Sequence, residues 1–235
     1  MWRATPCRRF LSTSGVLPIA DGIKQVKHCD VSCAPQTINV AIRLNVDPRK
    51  PNQSVRGSAV LPVSLGKTFR VAVFARGDQA EAAREAGADL VGDADLIEQI
   101  SGGTIDFDRC LATPDMVGMV GRVARILGPR GLMPSVKSGT VATDIAAAVR
   151  NAKQGQVQFR ADKGGVVHAP VAQTSFTEGD IEKNLLHFIQ VVQDAKPSGA
   201  KGTYIKGAYM ASTRGRSVEF DVANPPFTMK RTRQR

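Results

Sequence analysis

Aromatic residues are scarce in this chain, at 5% of 235 residues with one tryptophan and two tyrosines, so an interior has to be assembled mainly from aliphatic side chains. Apolar content as a whole is ordinary at 42%, enough to bury a core. Long apolar runs are absent. The longest are strand-length, far short of the roughly 20 residues that span a bilayer, which excludes a membrane-crossing helix of the usual kind. Cysteine is sparse too. Cys7, Cys29, Cys33 and Cys110 follow no disulfide spacing, and His28 with Cys29 and Cys33 lacks the second ligand pair of a zinc site. No metal is expected, and the thiols read as reduced. Acid is missing from the start of the chain, where the first carboxylate is Asp21.

Nucleotide-binding loops are missing as well. After Ala75 the chain reads Arg76-Gly77-Asp78-Gln79, without a G-x-G-x-x-G fingerprint. Gly66-Lys67-Thr68 ends like a phosphate loop, but it lacks the upstream glycine and precedes a strand. Of the three histidines, His28 sits near a helix end and His187 lies beside a helical apolar stripe. His168 stands near Asp162 and Lys163 with no nucleophile close in sequence. No catalytic residue and no cofactor are assigned.

What is present is positive charge. The formal net charge is +11, which favours a polyanionic partner, nucleic acid before an anionic membrane. Residues 1–14 carry Arg3, Arg8 and Arg9 with Ser12, Thr13 and Ser14, the composition of an organellar transit peptide. A mitochondrial address is favoured over a basic RNA-binding arm, and the order of Arg and Ser leaves a plastid open. Residues 229–235 form a second acid-free basic tail.

Periodicity divides the rest. Ile38, Val40, Ile42 and Leu44 alternate with Thr37, Asn39, Ala41 and Arg43, the pattern of a strand with one wet face. Val55 to Leu61 predicts a second strand. The near-continuous apolar run from Phe69 to Ala75 suits a parallel strand covered on both faces. Beyond it, helices and strands alternate. Asp78 is expected to cap a helix packed through Ala80, Ala83 and Ala86 and ended by Gly87; short strands follow at Asp89 to Val91 and Cys110 to Ala112, with a helix at Leu96 to Ile100 between them. One helix is expected from Thr113 as N-cap to Gly128, and another from Thr143 to before Gly155. Period two returns at Val157 and Phe159 against Gln158, Arg160 and Asp162. The turn Lys163-Gly164-Gly165 leads into Val166-Val167-His168, which reads as a hairpin. A long helix after Thr177 carries the stripe Ile181, Leu185, Phe188 and Val192 and is stopped by Pro197. Strands at Tyr204 to Met210 and Val218 to Val222 flank Ser212-Thr213-Arg214-Gly215.

The fold class that follows is mixed α/β and α+β in two domains. Residues 15–64 and 156–228 together form a discontinuous α+β domain, and residues 65–155 an inserted Rossmann-like α/β domain, with two crossings near Leu65 and Gly155 that act as a paired hinge. If the flanking strands share a sheet, Thr37, Arg43, Arg160, Asp162, Lys163, Thr213, Arg214 and Gly215 supply an RNA-binding patch. Arginine forks fit phosphate, threonine hydroxyls reach phosphate or ribose, and glycine admits close backbone approach.

The octapeptide Leu127-Gly128-Pro129-Arg130-Gly131-Leu132-Met133-Pro134 is the most specific motif. It resembles the signature of the large-subunit ribosomal protein L-one family. So do Asp47-Pro48-Arg49-Lys50, Val55-Arg56-Gly57, Ala86-Gly87-Ala88-Asp89, Ala112-Thr113-Pro114-Asp115, Phe159-Arg160-Ala161-Asp162-Lys163, His168-Ala169-Pro170-Val171 and Lys196-Pro197-Ser198-Gly199-Ala200-Lys201-Gly202. The resemblance spans about Ile19 to Val222. It implies a domain made of both termini with a Rossmann-like insert, and binding to the mobile stalk of large-subunit ribosomal RNA beside the tRNA exit site. It further implies other large-subunit proteins and the exiting tRNA as partners, a monomer within the ribosome and no membrane. By motif it makes Thr37, Asp162, Lys163, His168, Thr213, Arg214 and Gly215 contact positions. Two positions depart from the family: Ala34 replaces a usual phenylalanine and Arg214 a usual methionine, which shifts weight from packing to phosphate contacts. The alternative is a nucleotide-dependent enzyme built on the α/β insert.

Overall fold

The computed structural model describes residues 16–28, 35–66, 69–103, 105–200 and 202–222. The transit-like start, Cys7, Cys29, Cys33, Ala34, Lys67, Thr68 and the basic tail lie outside them.

The chain opens with helix α1 (Ile19–His28), which buries Ile19, Ile23 and Val26, three positions on one face at helical spacing. Strand β1 (Thr37–Leu44) follows with the bounds expected from its alternation. Ile38, Val40, Ile42 and Leu44 are buried, and Asn39 and Arg43 are exposed. A loop with a short 3-10 turn (Pro51–Gln53) leads to β2 (Arg56–Val60).

The middle of the chain makes a three-stranded parallel sheet of β3 (Val71–Phe74), β4 (Leu90–Gly92) and β5 (Arg109–Ala112), ordered β4-β3-β5. All four residues of β3 are buried because both faces are covered. Ala72 and Phe74 pack with Leu96 and Ile100 of helix α3 (Ala94–Ser101) and with Val120 and Leu127. Val71 and Val73 pack on the other side with Ala83 of helix α2 (Asp78–Glu85) and Val149 of a later helix. Asp78 does not cap α2. Gly77 holds the N-cap at φ +60°, a conformation natural to glycine, and Asp78 sits in the first turn as a dipole partner.

The expected helix from Thr113 to Gly128 is not continuous. It is broken into a 3-10 turn (Pro114–Met116), helix α4 (Val117–Val120), a second 3-10 turn (Gly121–Val123) and helix α5 (Ala124–Leu127). Gly118 and Gly121 weaken the spiral entropically, and β-branched Val117, Val120 and Val123 add little helix propensity. Thr113 occupies the N-cap position, but its hydroxyl makes no capping bond. Gly128 ends the run as expected, and a Cβ there would stand 2.7 Å from the Ala124 carbonyl oxygen. The octapeptide turns back so that the Leu132 N–H bonds Leu127 O at 3.1 Å, with Leu132 and Met133 half-buried against the core.

Helix α6 (Ile145–Lys153) starts two residues later than expected. Asp144 is its cap, accepting the Ala147 N–H at 3.2 Å. Strands β6 (Gln156–Arg160) and β7 (Val166–Gln173) do not form the expected hairpin ladder. The turn is present, but the strands part after one bridge, Ala161 to Val167. β6 pairs with β2 in a two-stranded sheet and β7 pairs with β1. Helix α7 (Glu178–Asp194) is capped by Thr177, which accepts the Asp180 N–H, and its stripe Ile181, Leu185, Phe188 and Val192 is fully buried. It ends at Asp194, three residues before Pro197. Strands β8 (Ile205–Ser212) and β9 (Val218–Phe220) complete a four-stranded antiparallel sheet ordered β7-β1-β8-β9.

One face of that sheet is packed by α1 and α7 in a core drawn from both halves of the chain. The Phe159 and Phe188 rings meet edge to face at 5.6 Å. Residues 64–65 and 155 lie against each other: Gly155, at φ +95°, leaves room for only a Cβ 3.5 Å from the Leu65 nitrogen. Among the described residues no helix is long and apolar enough to cross a membrane.

Asn184 of α7 is fully buried and ties three elements together. It accepts the Val63 N–H at 3.0 Å and donates to the carbonyls of Val63 at 3.0 Å and Val171 at 2.9 Å. Asn184→Ala leaves those backbone groups without partners and is expected to cost about 3 kcal/mol in urea unfolding, whereas a loss under about 1 kcal/mol would contradict this role.

Candidate nucleic-acid interface

Burying one face of β1 turns the other outward, because successive side chains alternate. Thr37, Asn39, Ala41 and Arg43 therefore share the uncovered face. Cross-strand register places His168 and Tyr209 on either side of Ala41, Pro170 and Ala211 beside Asn39, and Val166 and Gly207 beside Arg43. Ala41 separates the exposed His168 from Tyr209, whose half-buried ring lies over Gly207, 3.5 Å from where a Cβ there would stand. Unpaired bases stack on such rings.

One end of the face is closed by the turn after β8. Thr213 Oγ1 donates to the Thr37 carbonyl at 3.0 Å, and the Arg214 N–H donates to Gln36 Oε1 at 2.9 Å. Gln36 is itself held from β7's end, its N–H donating to Thr174 Oγ1 at 3.0 Å and its carbonyl accepting the Thr174 N–H at 2.9 Å. These bonds fasten Thr37, Thr213, Arg214 and Gly215 together and leave the Arg214 side chain exposed. A Cβ at Gly215 would stand 2.2 Å from Ser212 Oγ, so a larger residue there requires that hydroxyl to move.

The other end carries the turn Asp162–Gly165. Gly165 lies at φ +74°, and its carbonyl accepts the Leu44 N–H at 2.9 Å, which fixes exposed Asp162 and Lys163 at the far end of β1 from Thr213. Seven residue steps of strand separate the two ends, about 24 Å at 3.4 Å each. The candidate residues thus form a strip and not a single point. Arg160 is not on this sheet. It lies on β6, directly opposite Arg56 of β2, both exposed. Like charges in that position repel.

The structure brings together Thr37, Thr213, Arg214 and Gly215 at one end and Arg43 with the Asp162–Lys163 turn at the other, with His168 between. Sequence reasoning passed over Tyr209, Asn39, Gln36 and Arg56. Asn39 was legible in the alternation of β1. Tyr209 and Arg56 emerge only once the strands are paired. Arg43, Arg56, Arg160, Lys163 and Arg214 take no part in the ion pairs Arg76–Asp93, Lys153–Asp89 and Lys183–Asp180. Their charge stays available for an external anion. Glu219, opposite Tyr209 on β9, and Asp162 are the acids bordering the strip. No cluster of three metal-ligating side chains occurs among the described residues.

This uncovered sheet face, with Arg43, Lys163 and Arg214 outside the ion pairs named above, is the candidate interface, and comparison with known proteins identifies the family. Residues 25–216 match the model of the Ribosomal protein L1p/L10e family. "Large ribosomal subunit protein uL1" of Azoarcus sp. (strain BH72) is 50% identical over 219 residues, covering 93% of this chain and 95% of that protein. The protein of the same name from Aromatoleum aromaticum is 46% identical over 93% of this chain and 94% of its own length, and that from Coxiella burnetii (strain Dugway 5J108-111) 48% identical over 87% and 88%. The chain belongs to the Ribosomal protein L1p/L10e family. It is not an enzyme, and the nucleotide-dependent alternative falls with that finding.

Gly215→Ala is expected to lower Tm by about 2–12 °C, the equivalent of about 1–3 kcal/mol of overpacking in a chain of this size. Ser212→Ala in the same chain removes the clashing hydroxyl, which has no hydrogen-bond partner, and should restore most of the loss. No recovery in the double variant would refute the clash.

Proposed function

We propose that this protein is a structural constituent of the large ribosomal subunit that holds the mobile stalk of its ribosomal RNA, near the tRNA exit site, on the outer face of the β7-β1-β8-β9 sheet. The observation that carries this reading is the Thr213–Thr37 hydrogen bond, which joins two candidate contact residues 176 positions apart at one end of an uncovered sheet face. The relatives' names support incorporation into a large subunit. In this reading Thr37, Thr213 and the Gly215 backbone approach RNA closely, Arg43, Lys163 and Arg214 meet phosphates, and His168 with Tyr209 receives a base. Arg160, paired with Arg56, extends the cationic surface toward the exiting tRNA. Neighbouring ribosomal proteins are the remaining partners, and the protein acts as one copy per ribosome.

Residues 15–64 with 156–228 form the RNA-binding domain in this account, and 65–155 an inserted domain that moves about the adjoining segments at Leu65 and Gly155. The proximity of Gly155 to Leu65 supports a paired hinge there. The acid-free Arg- and Ser-bearing start supports a mitochondrial ribosome as destination, although the relatives named above are bacterial. Fusing residues 1–28 to a reporter tests this. Import with cleavage supports it, and a reporter left in the cytosol would rule it out.

Arg214→Ala tests the interface. Filter binding of a stalk RNA fragment over a salt series should give about five-fold weaker binding and a log–log salt slope shallower by roughly 0.7–0.9. An unchanged slope removes Arg214 from the phosphate contacts.

A further inference from the structure

The octapeptide is the most specific stretch of the sequence, yet none of it reaches the sheet face. It borders a cleft of ≈ 270 Å³, lined by Arg130 and Leu132 from its own loop, Arg109 from β5 and Gln158 from β6. Arg109 is held rigidly. Its Nη2 donates to the Gln156 carbonyl at 2.7 Å, and its guanidinium carbon stands 4.8 Å from the centre of the Phe69 ring. Burial lowers the Arg109 pKa and neighbouring Asp108 offsets this in part, while the group remains cationic at any ordinary pH. It has lost water without gaining a salt bridge.

Neither Arg109 nor Arg130 pairs with a carboxylate among the described residues. Gln158 adds an amide without a hydrogen-bond partner among them. The single carboxylate of the lining, Asp108, has Oδ2 engaged by the Arg70 N–H at 3.2 Å. Arg109, Arg130 and Gln158 thus line one cleft with most of their donors unused. The space is smaller than the roughly 300–1,000 Å³ of pockets that enclose whole small molecules, so it suits one compact anionic group. The walls are stiff. Pro129 and Pro134 restrict φ in the loop, and Leu132 and Met133 anchor it to the core.

We propose that this cleft binds a phosphate group of an RNA backbone, as a second contact separate from the sheet face, with Arg130, Arg109 and Gln158 as donors. A planar fork matches phosphate in two-point fashion, and an RNA chain is the polyanion most abundant around a ribosomal protein. The inference stands whether or not the sheet face is the stalk site.

The test uses the full chain labelled with ¹⁵N, titrated in separate arms with inorganic phosphate, a single-stranded RNA oligonucleotide and a poly-glutamate peptide, while the arginine Nε–Hε signals are followed by NMR. Phosphate and RNA should both shift Arg109 and Arg130 saturably, RNA at lower concentration. Arg130→Ala alters an exposed residue and should keep the native Tm, yet weaken the response at Arg109 about ten-fold. Gln158→Leu should weaken it less. Arg214→Ala should leave it unchanged, which separates this cleft from the sheet face. Absence of shifts, an undiminished response in Arg130→Ala, or a peptide that outcompetes RNA would each overturn the proposal.

Discussion

Strand β1 can present a wet face only while its other face stays dry. Ile38, Val40, Ile42 and Leu44 are at most 3% exposed, sealed by α1 and α7. Because the side-chain period of a strand is two, a slip of one residue would turn Arg43 and Thr37 inward and push the aliphatic set into water. Burial of each aliphatic side chain is worth about 1.5–3 kcal/mol, so the register is strongly specified. The strands that flank β1 come from the opposite end of the chain, after the whole parallel-sheet segment. Long connections of this kind are tolerable because closure entropy grows only logarithmically with length.

Strong fastening at the ends of β1 adds direction to that burial. At one end, Gln36 links β7's terminus to the β8–β9 turn, and Thr213 bonds back to Thr37. At the other, Gly165 admits the Leu44 N–H at a place where a Cβ would stand 2.8 Å from Val46 O. These positions spend their hydrogen bonds on geometry. Arg43, Lys163 and Arg214, by contrast, are in none of the ion pairs Arg76–Asp93, Lys153–Asp89 and Lys183–Asp180, so their charge adds little to stability and can act on an outside anion. A protein whose work is to hold RNA needs this division: rigid backbone beneath, uncommitted charge above.

Much of this was legible in the sequence where the signal is local. The alternation of β1, the buried run of β3 and the stripe of α7 are periodic patterns, and the structure keeps them nearly residue for residue. Caps were harder. Gly77 stands at the N-cap where Asp78 was expected, and the helix expected to start at Thr143 is capped by Asp144, because several residues in each place satisfy the same local preference. Helix continuity across Gly118 and Gly121 failed because two glycines and three β-branched valines weaken the spiral there. Strand pairing was beyond local reading altogether. A turn at Lys163-Gly164-Gly165 implies two adjacent strands, yet β6 leaves for β2, and so Arg160 stands against Arg56 and not beside Arg43. The same holds for the cleft at Arg109 and Arg130, which exists only where β5, β6 and the octapeptide meet.

The central claim is that the uncovered face of the four-stranded sheet carries the RNA. Amide-exchange mapping of the full chain, free and saturated with a stalk RNA fragment, tests it most directly. Protection should concentrate in residues 36–44, 162–170 and 207–216, leaving α1 and α7 unchanged. Protection confined to α1 and α7, or to the parallel sheet between residues 71 and 112, would contradict the account.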